Sequence, residues 1–364
     1  MKSALRPVVL YVLPFILILA FLCSFIHGAL WYVPDGDDVY FLGVLKAMGL
    51  KAGTLFFYRQ VTGRWLGHIL SFLNFQLFGT HIRYYWIIIL LMLFVFQGAL
   101  AFFLRRITDK YFSFQHSRGT FLTAAMLFTA CLYFFVFEGR WETWYWLSSV
   151  FIHPFGLTLM FLGFGCILDD KNQKISCYLL MLVSFAALGG IQEICSVLSF
   201  FFFFWIWLGN RSAGKDSGLR KIIPAAVVLG LSFLANLFSS GFRTRIDNQP
   251  SFHIGQSLKN TVHSVLIPFI DYEFLVPRVL ALLIWILWLK MKKEEQTCFS
   301  AGHSSLTPLQ KISAFSALIL GALSMTCYVL CDIAPQRCLL FPAALFLLAL
   351  SDAMLCCKKA WFSS

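Results

Sequence analysis

The chain of 364 residues is 59% apolar and only 13% charged, against roughly 45–50% and about 25% in an ordinary globular domain. Its 29 Lys and Arg outnumber its 17 Asp and Glu, giving a net charge of +12, yet 41 phenylalanines leave little polar surface on which a nucleic-acid-binding face is built. Disorder is excluded by the same numbers, and the composition is that of a chain embedded in a bilayer.

A helix that crosses a bilayer needs ~20 predominantly apolar residues. The first such run is 8–33, too long for the apolar region of a signal peptide and therefore expected to remain as an anchor. Residues 65–80 are apolar but short and interrupted by His68, Asn74 and Gln76, which predicts a segment lying in the membrane surface. Runs at 84–104, 119–137 and 143–168 predict three further crossings. The stretch 175–209 is too long for one helix and is broken by Gly189-Gly190-Ile191-Gln192-Glu193, so two short helices turning at that break are expected. Runs at 222–242 and 312–331 follow, with two weaker ones at 274–289 and 333–351 that carry Arg278 and Arg337, both placed to snorkel.

Charge bias orients this map. Arg105-Arg106, Lys171 to Lys174, Arg211 to Lys221, Lys290 to Lys293 and the basic residues of both termini all fall on one side if the chain crosses ten times with both termini cytoplasmic. The fold class expected is an all-α polytopic membrane protein of about ten transmembrane helices, residues 1–364 forming a single transmembrane domain. Its polar outer loops are 34–83 and 241–273. No internal repeat of the transporter kind and no soluble domain is legible.

The first outer loop opens Pro34-Asp35-Gly36-Asp37-Asp38-Val39-Tyr40. Pro-Asp-Gly is turn chemistry and accounts for Asp35. Asp37 and Asp38, at once followed by apolar residues, are candidate catalytic carboxylates: such a pair serves as a general base or binds a divalent cation such as Mg or Mn. Further along lies Thr62-Gly63-Arg64-Trp65, in which Arg64 is placed to meet a phosphate and Trp65 to anchor at the interface.

These two motifs carry a resemblance. A first helix, an outer loop opening on an acidic pair, and interfacial segments before the second helix resemble the GT-C class of integral-membrane glycosyltransferases. More narrowly, Asp37-Asp38-Val39-Tyr40 followed by Thr62-Gly63-Arg64-Trp65 is similar to small bacterial families of glucosyltransferase-like or uncharacterised polytopic proteins. The motifs span about the first 80 residues, the topology most of the chain. The chain departs from larger members in being short and in having no soluble C-terminal domain. The resemblance implies a polyprenyl-phosphate sugar donor, inversion at the anomeric carbon, and a base or metal ligand at Asp37 and Asp38. It also implies, for a bacterial inner membrane, an acceptor that is a cell-envelope glycan or lipid.

Other outer residues are candidates for substrate binding. Glu193, at the break between two short helices, is an ionisable residue near membrane depth suited to orienting an acceptor hydroxyl. Glu138-Gly139-Arg140-Trp141-Glu142-Thr143-Trp144-Tyr145-Trp146 interleaves acids with aromatics, so Trp141 and Glu142 offer a sugar platform, although such rings also form the interfacial belt. Arg243 and Arg245, read as lying in a loop, are spaced to clamp a leaving phosphate, with Arg337 or Arg278 as alternates.

Other signals fail. Gly209 to Lys215 has phosphate-loop spacing, but Asp216 stands where Ser or Thr is required, and Asn210-Arg211-Ser212 is a glycosylation sequon on the inner side. The 11 cysteines make no Cys-x-x-Cys pattern, and only Cys331 and Cys338 lie where a disulfide is conceivable.

The expectation is therefore a glycosyltransferase in which Asp38, or Asp37, deprotonates an acceptor and Arg64, Arg243 and Arg245 receive the phosphate. Partners are the lipid-linked donor, the acceptor and membrane lipids, with no nucleic acid. A flippase for lipid-linked sugars, a polysaccharide polymerase and an accessory membrane protein remain open as alternatives.

Overall fold

The computed structural model describes residues 5–34, 36–78, 84–111, 117–135, 141–169, 174–212, 219–247 and 272–297, together with 344, 347 and 348. Every regular element among the described residues is helical. They are α1 (Leu13–Leu30), α2 (Asp37–Phe56), α3 (Trp65–Phe78), α4 (Tyr85–Tyr111), α5 (Arg118–Phe135), α6 (Leu147–Val150), α7 (His153–Leu168), α8 (Ile175–Gly189), α9 (Glu193–Ser212), α10 (Leu219–Leu237), α11 (Ser240–Asp247) and α12 (Tyr272–Thr297). Wide π turns at Val8–Val12, Phe57–Val61 and Trp141–Tyr145 extend or join them.

Among the described residues, five helical stretches are long and apolar enough to cross a membrane: Val8–Leu30, Asp37–Val61, Tyr85–Lys110, Leu147–Leu168 and Leu219–Leu237. With Phe94, Leu91 and Leu231 left exposed on two of them, these outer faces match lipid rather than water, consistent with a helical membrane protein.

Asp37–Val61 departs from the sequence reading, which sees no uncharged run there because Lys46 and Lys51 interrupt it. The helix is divided at Gly49, whose φ of 74° and ψ of 174° interrupt the hydrogen-bond ladder. Each arm of about a dozen residues is ~18 Å long, short of the ~30 Å hydrocarbon core. Only 11% of its most apolar window is buried within the protein, while the opposite extreme is Leu147–Leu168 at 89%.

The chain divides into two compact units. One comprises residues 1–24, 123–138 and 254–364. Within it Phe21 meets the edge of Tyr133 at 5.3 Å, Phe128 meets Trp285 at 6.2 Å, and the Cys131 thiol donates to the Ala281 carbonyl. Arg278, on α12, is buried there, 3% exposed.

The other unit, residues 25–122 and 139–253, is built around α7. Phe103 stacks on Phe161 at 5.2 Å where α4 meets α7, and Phe164 meets Phe185 at 5.2 Å where α8 does. Small residues bring the backbones close: a Cβ on Gly163 would overlap Phe185, and one on Gly189 would overlap Ser232. The break expected at 189–193 is present, with α8 ending at Gly189 and α9 beginning at Glu193. At one end of this unit Arg106 pairs with Asp169 at 2.7 Å, and Lys221 donates to the Asp169 and Cys166 carbonyls at the C-terminus of α7. These belong to segments that charge bias assigns to a single side. The opposite end, where α7 begins, holds the candidate site.

Candidate functional site at the start of the central helix

The acidic pair opens α2. Gly36 has a φ of 52°, a conformation costly for any residue with a Cβ, and the Trp146 indole packs against it. Asp37 is exposed in the first helical turn, whereas Asp38 is completely buried. The Leu147 and Ser148 amides donate to the Asp38 carboxylate at 2.9 Å each, and the Tyr32 hydroxyl donates to it as well. Trp146, the residue preceding α6, has extended dihedrals and makes no side-chain cap of its own. Asp38 therefore caps from about 109 positions away, satisfying amides that a helix start leaves open and placing negative charge at its positive end.

The segment 141–148 is fastened to α1 as well. A Cβ on Gly28 would overlap the Tyr145 ring, and Phe25 meets Trp144 at 5.9 Å and Tyr145 at 5.4 Å. Trp144 and Tyr145 are buried by these contacts, 2% and 0% exposed, so they act as packing rather than as a sugar platform. Glu142 is half-buried on the π turn, which Trp141 opens.

Arg64 and Glu193 are brought together. The Arg64 Nε–H donates to both carboxylate oxygens of Glu193, at 3.0 and 2.8 Å, and both side chains are mostly buried at 14% and 15% exposure. The pair ties the strand-like link after the Phe57–Val61 turn to the α8–α9 break. Leu66 N–H donates to the Gly190 carbonyl at 3.1 Å beside it. Glycines permit the crossing: a Cβ on Gly190 would overlap the Trp65 indole, and one on Gly63 would overlap the Asn236 carbonyl. Gln192, next to Glu193, shares a 3.0 Å hydrogen bond with His153 at the start of α7.

Sequence reasoning passed over His68, one turn beyond Arg64. It is 2% exposed and enclosed by Phe57 at 4.9 Å and Phe41 at 5.6 Å. Burial, and then the Arg64 charge, push its pKa from 6.5 down to about 3, so the ring is neutral at any physiological pH. Phe41 lies one turn after Asp38, so this aromatic cluster joins the acidic pair to the Arg64–Glu193 pair. Tyr32 was likewise passed over, because at the end of an apolar run it reads as belt rather than as a carboxylate partner.

Residues 243 and 245, expected in a loop, lie on α11. Positions i and i+2 of a helix are ~200° apart, unlike the loop arrangement that the clamp assumed. Arg243 itself is exposed, and α11 packs on the Phe57–Val61 turn, where a Cβ on Gly241 would overlap the Tyr58 carbonyl. Arg337, Asp35, Cys331 and Cys338 lie outside the described residues.

Asp38 directs its oxygens at N–H and O–H donors, and among the described residues no three His, Cys, Asp or Glu side chains are grouped to hold a metal ion. Comparison of the chain with protein families, with curated proteins and with solved structures finds no match.

Proposed function

We propose that this protein is a membrane glycosyltransferase of GT-C type, with about ten transmembrane helices. In this reading it transfers a sugar from a polyprenyl-phosphate donor to a cell-envelope glycan or lipid on the outer face of a bacterial inner membrane. The reading is supported by two pairings within one unit between residues far apart in sequence: Asp38 with the 147–148 amides, and Arg64 with Glu193. In it, a carboxylate of the acidic pair takes the proton of the acceptor hydroxyl. The oxygen attacks the anomeric carbon as the bond from that carbon to the phosphate oxygen breaks, and polyprenyl phosphate departs with the electron pair. Glu193 orients a hydroxyl, Glu142 and Trp141 contribute to the sugar subsite, and Arg64 and Arg243 offset the charge that develops on the leaving phosphate.

A flippase would need polar lining continuing past this site. The serines that follow Gln192 along α9 do not provide it, since Ser196 and Ser199 donate to the carbonyls of their own helix. The test is transfer of labelled glucose from undecaprenyl-phosphate glucose in vesicles from cells producing the protein. Wild-type vesicles are expected to label an envelope acceptor and vesicles carrying Asp37→Asn with Asp38→Asn are not; equal labelling by the two overturns the reading.

A further inference from the structure

The acidic pair reads in sequence as two equivalent carboxylates, and the structure makes them unequal. Asp38 has no exposed surface, and its two oxygens receive the Leu147 and Ser148 amides and the Tyr32 hydroxyl. Fully buried, it presents no surface to an acceptor hydroxyl, and protonation would weaken its hold on these donors. Asp37 is exposed in the same helical turn, between two immobilised neighbours: Gly36 beneath the Trp146 indole and Asp38 in its bonds. Trp146 directly precedes the two amides that Asp38 holds, so one contact fixes both the start of α6 and the approach to Asp37.

We infer that the pair divides its work: Asp38 is a positioning residue that clasps the 146–148 segment, and Asp37 is the carboxylate presented to the ligand. The inference rests on the transferase reading for the identity of that ligand, but its structural half stands without turnover. Asp37 alone then takes the proton from the acceptor oxygen, and Asp38 keeps its hold on the Leu147 and Ser148 amides throughout.

The experiment uses the full chain in phospholipid nanodiscs. Carbodiimide with glycine ethyl ester is expected to modify Asp37 at least tenfold faster than Asp38; equal rates overturn the assignment. Amide hydrogen exchange at Leu147 and Ser148 is expected to accelerate at least tenfold in Asp38→Ala and to stay at the wild-type rate in Asp37→Asn. Where Asp38→Ala does not fold, Asp38→Asn, which keeps one oxygen acceptor, is expected to accelerate exchange to a smaller degree; an unchanged rate overturns the clasp. With undecaprenyl-phosphate glucose as donor, Asp37→Asn is expected to lower kcat at least 100-fold. Asp38→Asn is expected to lower kcat less than Asp37→Asn does and less than Asp38→Ala does. Loss of kcat in Asp38→Asn equal to that in Asp37→Asn, with wild-type exchange at 147–148, overturns the division. A wild-type protein that passes the labelling and exchange tests but transfers no sugar counts against the transferase reading and leaves the clasp standing.

Discussion

His68 and the Arg64–Glu193 pair are where single side chains decide most. His68 is enclosed by Phe41 and Phe57, and its pKa falls from 6.5 to about 3 through burial and then the Arg64 charge. The unfolded chain takes up a proton near pH 6.5 and the folded chain does not until near pH 3. Stability is therefore fully present above pH 6.5 and declines as pH falls toward 3, by up to ~1.4 kcal/mol per pH unit. Unfolding in detergent between pH 7.5 and 4.5 is expected to show a steeper acid loss in wild type than in His68→Phe; parallel curves would refute it. Arg64→Met leaves the largely buried Glu193 carboxylate without its 2.8 Å partner and is expected to cost on the order of 1–3 kcal/mol. A double-mutant cycle with Glu193→Gln is expected to recover part of that loss, because the uncompensated charge goes with it.

Legibility in the sequence is uneven at this scale for a physical reason. Asp37, Asp38, Arg64 and Glu193 stand out because charge is rare in an apolar chain. Which of them pair, cap or face outward depends on contacts more than 100 positions apart, such as Asp38 with Leu147, and no local pattern encodes these.

Among elements, the glycines separate two kinds of constraint. At Gly63 and Gly190 another chain segment occupies the space of a Cβ, so Gly190→Ala must displace the Trp65 indole and Gly63→Ala the Asn236 backbone. Each is expected to lower stability by roughly 1–3 kcal/mol, as overpacking does. Gly49 has open space around it but a φ of 74°. Gly49→Ala is expected to cost only about 1–2 kcal/mol through backbone strain, or to straighten α2 into one rod. Thermal unfolding of the three variants checks the ranking, and a Gly49→Ala loss exceeding the other two would contradict it. Helix positions followed readily from apolar runs, including the α8–α9 break at Gly189 to Glu193. α2 and α11 did not. Lys46 and Lys51 hide the first from any search for uncharged runs, and the second carries arginines in a polar stretch that reads as loop.

For the whole molecule, the central unit has two unlike ends. One gathers Arg106, Asp169 and Lys221 around the C-terminus of α7, and the other holds the acidic pair, Arg64, Glu193 and the capped α6 that precedes α7. In the proposed orientation, drawn from charge bias, the first end faces the cytoplasm and the second the outside. Single cysteines replacing Asp109 and Glu142 in a chain freed of its native cysteines are expected to react with a membrane-impermeant maleimide from opposite sides of sealed vesicles. Reaction from the same side would contradict the orientation.

The central claim is that the outer end transfers a lipid-linked sugar, and its most direct test is the product the reaction must release. Purified protein in nanodiscs with undecaprenyl-phosphate glucose and an envelope acceptor fraction is followed by mass spectrometry for undecaprenyl phosphate. Acceptor-dependent release by wild type, reduced at least ~100-fold in Asp37→Asn, is the predicted result, in line with the contribution of a general base. No release above the protein-free control, or release that Asp37→Asn leaves unchanged, would contradict the account.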